Sequence, residues 1–104
     1  MQVFATMSER MALSEVGEHA RRVEAMGYDG LLVPEAVHDG FLTSMAVLAA
    51  TGTLRVTTSV LVVFPRSPMT TAQAAWDLQA FSKGRFELGL GTQVRGNIVG
   101  RFST

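Results

Sequence analysis

Two short stretches hold the side chains best suited to chemistry. In the first, Glu35, His38 and Asp39 follow an apolar run, Gly30-Leu31-Leu32-Val33, that ends at Pro34. An imidazole titrates near neutrality, so His38 suits proton exchange with a bound molecule, or a hydrogen bond to it. The competing reading is structural: Asp39 caps a helix beginning near Phe41, and His38 is a polar loop residue. In the second stretch, Gly89 and Gly91 allow a close backbone approach, and Thr92 and Gln93 supply hydrogen-bonding groups beside them. A plainer reading stands here too, with Gly89 relieving crowding and Gly91 making a turn. The Gly89-Leu90-Gly91 pattern lacks the spaced glycines of a dinucleotide-binding turn directly before a helix. His19, the second histidine, sits among Glu15, Glu18 and Arg22 on the wet face of a predicted helix. There is no cysteine, which excludes disulfides, thiolate catalysis and cysteine-ligated metal centres, and no metal site is expected.

Strands and helices in alternation must position these residues. Gln2 to Thr6 predicts a short strand centred on Val3 and Phe4. Leu13, Val16, Ala20, Val23 and Met26 then recur at steps of three and four, the stripe of an amphipathic helix. Ser14 can cap it, Gly27 fits the position just past its end, and Glu18 and Arg22 pair favourably on its wet side. Gly30 to Val33 is too short for a helix and is bounded by glycine and proline, hence a second strand. Phe41, Met45, Leu48 and Ala49 give another helical stripe, closed by Thr51-Gly52. Leu54 to Val63 is rich in β-branched residues without clean alternation, so part of it is predicted to be a strand buried on both sides, and Phe64-Pro65-Arg66 ends it.

Ser67-Pro68 is the best local signal, a capping hydroxyl before a proline in the first helical turn. The helix runs on through Ala72, Ala75, Leu78 and Phe81, with Lys83 near its negative end and Gly84 as the stop. Arg85 to Leu90 makes a fourth strand, and Gly91 onward is loop or the approach to another helix. An inward-pointing Glu87 in that strand would need a partner, for which Arg85 or Arg55 is available. Strands joined by crossover helices predict a parallel sheet with right-handed connections. Such a sheet is either open with helices on both faces or a closed barrel with all helices outside.

Composition narrows the partners. The 104 residues are 47% hydrophobic and 17% charged, enough for a real core and unlike a disordered segment. Nine basic and nine acidic residues cancel, and the basic ones are scattered, so no nucleic-acid partner is expected. The N-terminus lacks the basic and long apolar regions of a signal peptide. The longest apolar run, Leu61 to Phe64, falls far short of the ~20 residues that span a bilayer, so no membrane partner is expected. Together with the missing cysteine, this favours the cytoplasm.

Several stretches, in order, resemble the N-terminal third of the bacterial luciferase-like superfamily, particularly its deazaflavin-dependent oxidoreductases. They are Gly27-Tyr28-Asp29-Gly30, Pro34-Glu35 with His38-Asp39, and Thr58-Ser59-Val60 leading to Phe64-Pro65-Arg66-Ser67-Pro68. Ala75-Trp76-Asp77-Leu78-Gln79, Gly84-Arg85-Phe86 and Leu88-Gly89-Leu90-Gly91-Thr92-Gln93-Val94 follow. The resemblance covers essentially the whole chain and implies a barrel: an α/β fold, here a partial (β/α)8 TIM-type barrel of about four parallel strands and three helices. It implies a small-molecule redox enzyme using the deazaflavin coenzyme F-420 for hydride transfer to or from a small organic substrate, or FMN for oxygen activation as a reduced-flavin monooxygenase. The cofactor would lie at the C-terminal mouth of the barrel.

The resemblance also implies roles for individual residues. His38 and Glu35 become the catalytic candidates, and Ser59, Gly91, Thr92 and Gln93 the cofactor contacts. Ser59-Val60 is where the family bulges its backbone, sometimes with a non-proline cis peptide. Phe64 and Arg66 could line the mouth, with a solvent or interface position as the alternative for Arg66. Trp76, Asp77 and Gln79 belong on an outer helix, in packing or a subunit interface. Two departures stand out: Glu35 is followed by Ala36 where the family commonly has the histidine at once, and Asn97, Val99 and Gly100 differ from the family's approach to its next helix. A non-catalytic truncated remnant is therefore the reading from a different class.

Family barrels are roughly three times this length. Residues 1–104 are accordingly expected to form the N-terminal part of one barrel domain, truncated near the fourth strand, with an incomplete cofactor site. Both outer strands would be unpaired and inward side chains would meet no far wall. The partners expected are a small-molecule substrate and either further copies of the chain or the missing C-terminal part of the barrel. The isolated chain should be aggregation-prone, partly molten or obligately oligomeric. Analytical ultracentrifugation showing a compact monomer that unfolds cooperatively would refute this.

Overall fold

A computed structural model describes residues 2–8, 10–35, 37–62 and 66–91. Its elements are β1 (Phe4–Thr6), α1 (Leu13–Ala25), β2 (Gly30–Val33), α2 (Gly40–Ala50), β3 (Arg55–Thr58), β4 (Leu61–Val62), α3 (Pro68–Phe81), β5 (Phe86–Glu87) and β6 (Leu90–Gly91). Four strands form one parallel sheet in the order β1-β2-β3-β5, and β4 and β6 pair in parallel beside it. Strand order that follows chain order is that of a growing barrel wall, and the chain is an α/β partial barrel.

Register and burial divide the sheet into two unlike faces. Leu31, Val56 and Phe86 lie side by side, with Val33 beside Thr58 in the next row, and all five are buried. Leu31, Val33, Val56 and Phe86 join Val16, Ala20 and Val23 of α1, Val47 and Leu48 of α2 and Leu78 of α3 in one core. On the opposite face Thr6, Leu32, Thr57 and Glu87 stand in register, with Thr6 and Glu87 exposed and the other two half-buried.

Helix limits follow local chemistry, with three corrections to the sequence-based expectation. Ser14 does not cap α1; Ala12 takes that position without a side-chain bond, and Ser14 lies inside the first turn. The α2 stripe is rotated: Thr43, Ser44, Val47 and Leu48 are buried, while Met45 faces out. Helix α3 packs through Thr71 and Leu78, leaving Trp76 at 76% exposure and Phe81 at 50%. Gly27 and Gly84 end their helices at positive φ as predicted, and Glu18 and Arg22 pair at 3.3 Å.

The single strands expected over 54–63 and 85–90 are each split in two, and Thr58 with Gly89 explains the break. The Thr58 hydroxyl accepts the Gly89 N–H at 2.8 Å and donates to the Gly89 carbonyl at 2.8 Å, so a side chain replaces the ladder there. A Cβ on Gly89 would collide with the Thr58 carbonyl oxygen. Just beyond, the Ser59–Val60 peptide is cis, the Ser59 N–H donates to Val33 O at 2.8 Å, and pairing resumes as Leu61 N–H donates to Gly89 O at 2.7 Å.

Two ionised side chains fasten the end of the sheet opposite the mouth. Glu24 Oε2 accepts the amides of Gly52 (3.0 Å), Thr53 (2.7 Å) and Leu54 (3.0 Å) and the Thr53 hydroxyl (3.0 Å). Arg85 donates to the carbonyls of Ser82, Leu54 and Leu48 and to the Thr51 hydroxyl. That engagement takes Arg85, one of the two partners considered for an inward Glu87, away from it, and Glu87 is exposed. The Thr53 amide is the main cause of a lowered Glu24 pKa; burial opposes it, and the bonds from Gly52, the Thr53 hydroxyl and Leu54 add to it. A carboxyl whose pKa falls on folding adds stability that is complete above its unfolded pKa and is lost as pH drops through the folded value. Denaturant unfolding of the native-length protein should therefore weaken below about pH 4.3. Glu24→Gln should flatten that dependence and cost about 1–2 kcal/mol at neutral pH.

Candidate active site

The loop from β2 to α2 sits where parallel-barrel enzymes collect their reacting groups, at the C-terminal ends of the strands. Pro34 stops β2, and Asp39 opens α2 by accepting the Leu42 N–H at 2.8 Å through Oδ2. The structural reading of Asp39 as a cap is thus correct. Glu35 folds back over the same loop, with its Oε2 accepting the Gly40 N–H at 2.7 Å. Gly40 has no room for a side chain, since a Cβ would press on Leu61 and Glu35.

One residue from the next loop ties these groups together. Arg66 Nη2 bonds Glu35 Oε2 and lies 2.6 Å from Asp39 Oδ1. Its guanidinium carbon stands 5.1 Å from the centre of the Phe41 ring, which in turn packs against Phe86 with 6.3 Å between centroids. The side chains are largely screened from solvent, at 21% exposure for Arg66 and 11% for Glu35. Burial works against the Arg66 charge, but the hydrogen bonds to Asp39 and Glu35 outweigh it and raise the pKa above its ordinary range.

His38 stands half-buried between the two carboxylate residues, and its Nε2 lies 2.8 Å from the carbonyl oxygen of Met11, in the segment before α1. A carbonyl can only accept, so Nε2 carries a hydrogen, and whenever the ring is neutral its lone pair is on Nδ1. Ser59 and Val60 are exposed just past the end of β3, and Gly91 pairs with Val62. Thr92, Gln93 and Phe64 lie outside the described residues. His19 is half-buried on α1, and Trp76, Asp77 and Gln79 are exposed on α3.

The structure therefore gathers Glu35, Asp39 and Arg66 into contact and links His38 to the loop after β1. Sequence reasoning left Arg66 open between the mouth and a solvent or interface position, and missed the Met11 carbonyl altogether. The signal available for Arg66 was its place directly before the Ser67 cap, which fixes it at the mouth beside the preceding loop.

The sequence pattern of the luciferase-like monooxygenase family matches residues 2–104. The chain belongs to that family. A protein of Mycobacterium tuberculosis and its counterpart in Mycobacterium bovis are each 44% identical over 91 residues, which is 88% of this chain and 27% of theirs. The luciferase-like chain thus spans about a quarter of the length of these relatives. Among solved structures, the coenzyme F-420 dependent tetrahydromethanopterin reductase of Methanopyrus kandleri superposes with a TM-score of 0.84 at 13% identity, covering 95% of this chain and 29% of that one. The oxygenating constituent of 3,6-diketocamphane monooxygenase from Pseudomonas putida, in complex with FMN, gives 0.79 at 16% identity, covering 96% and 32%. At such identities these structures establish the shared fold.

The double duty of Asp39 can be separated by substitution. Asp39→Asn retains a capping oxygen but gives up the ion pair with Arg66, whereas Asp39→Ala loses both and should cost about 1 kcal/mol more than Asp39→Asn in denaturant unfolding of the native-length protein.

Proposed function

We propose that this chain supplies the first strands of a cytoplasmic barrel oxidoreductase that passes hydride between the deazaflavin coenzyme F-420 and a small organic substrate. The observation that carries the reading is His38, in the loop after β2, with Nε2 donating to a backbone carbonyl, so that Nδ1 is the nitrogen that can exchange a proton. Membership of the luciferase-like family and the fold shared with an F-420 dependent reductase support it.

The residues present suit one face of a flat redox ring. Ser59 offers an exposed hydroxyl and Val60, 36% exposed, an apolar surface beside it, at the end of a strand whose backbone is already bound to β2. The coenzyme, when bound, supplies the hydride chemistry. His38 would hold or accept a proton at Nδ1 beside the reacting atoms, and Glu35 would fix the His38 loop through Gly40 and Arg66. Gly91, Thr92 and Gln93 would complete the ring contacts, and a small-molecule substrate would enter from the same side. The remaining strands, or further copies of the chain, would close the pocket and exclude water.

A second reading is a reduced-flavin monooxygenase, favoured by the fold shared with an FMN-bound oxygenating protein. Spectral titration of the native-length protein with each cofactor separates the two. Saturable perturbation by coenzyme F-420 is expected, and saturation by FMN alone would overturn the first reading.

A further inference from the structure

We infer that Arg66 is a positioning residue for His38, acting through the loop that carries it and without touching its ring. The argument begins with attachment points. Glu35 and Asp39 bracket His38 on the two sides of one short loop, and a single nitrogen, Arg66 Nη2, bonds both carboxylates. Each carboxylate is also bound to the start of α2, Glu35 to the Gly40 N–H and Asp39 to the Leu42 N–H. The loop is therefore gripped at both ends from one side by a cation and from the other by the helix it enters.

The cation is itself held in place. Its planar group stacks over Phe41, whose ring leans on Phe86 of the core, so Arg66 carries core geometry outward to the loop. What remains for His38 is the direction of its ring, and the Met11 carbonyl sets that through Nε2. Two supports from two neighbouring loops thus meet on one imidazole: Arg66 places the backbone, and Met11 turns the ring. Lysine could replace the charge of Arg66 but not the flat group that lies over the Phe41 ring.

The functional meaning rests on His38 being the proton-exchanging group, whereas the geometry can be tested alone. The experiment is a nitrogen-15 NMR measurement of histidine ring signals in the native-length protein, with His38 assigned by its loss in His38→Gln. The wild type should show one tautomer, protonated at Nε2, with a slowly exchanging Nε2–H. Arg66→Lys should lose that slow exchange, at least tenfold, and give mixed tautomers, while circular dichroism and thermal midpoint stay near wild type. Phe41→Leu, which removes the stacking surface and keeps both ion pairs, should move the signal the same way by less. This second variant decides the matter if Arg66→Lys does not fold. A folded variant with the Nε2–H signal unchanged would overturn the inference. An altered signal in the variants, combined with failure of the wild-type protein to bind coenzyme F-420, would uphold the positioning role and overturn the reading of function instead.

Discussion

Three helices bury one face of a parallel sheet, and the other face has nothing comparable against it among the described residues. Leu31, Val56 and Phe86 are packed away beneath α1, α2 and α3, at about 25 cal/mol per Å² of apolar surface removed from water. One register position along, Thr6, Leu32, Thr57 and Glu87 look the opposite way, two of them exposed. Parallel sheets are stable when both faces are covered. This asymmetry organises the chain: the covered face fixes where the strands end, and the strand ends fix where the loops at the mouth begin.

The mouth then obeys a different economy from the core. Its groups are charged, partly screened and drawn from separate loops, so their positions depend on mutual satisfaction more than on apolar packing. Arg66 replaces water for two carboxylates at once, and the capping bonds to Gly40 and Leu42 take up further lone pairs. A charge in such a setting is tolerated because several partners share it. His38 gains a defined hydrogen position from a neutral carbonyl, which adds no competing charge beside the imidazole.

What could be read from the sequence was local. The Ser67-Pro68 start of α3, the glycines ending α1 and α3, and the short strand before Pro34 all depend on residues within a turn of one another. The place of Glu35, His38 and Asp39 in the loop after the second strand also followed from strand order. Other features were invisible because they join distant positions. Arg66 reaches back 27 residues to Asp39, and Thr58 meets Gly89 across 31, dividing two strands that looked continuous. The rotation of α2 escaped for another reason: its apolar residues surround the helix, so periodicity alone could not say which side faces inward. Burial of Thr43 and Ser44 in place of Met45 is decided by the neighbouring strands.

The connection between α2 and β3 has a consequence of its own. Glu24 takes its amide hydrogens at Gly52, Thr53 and Leu54, and Arg85 takes its oxygens at Thr51 and Leu54. A surface connection ordinarily leaves such groups to solvent and accepts extra residues readily. Here an anion holds three consecutive amides while a cation holds the Thr51 hydroxyl and the Leu54 carbonyl, and lengthening the segment by even a residue would disturb both grips. Homologous chains should therefore hold this connection to constant length.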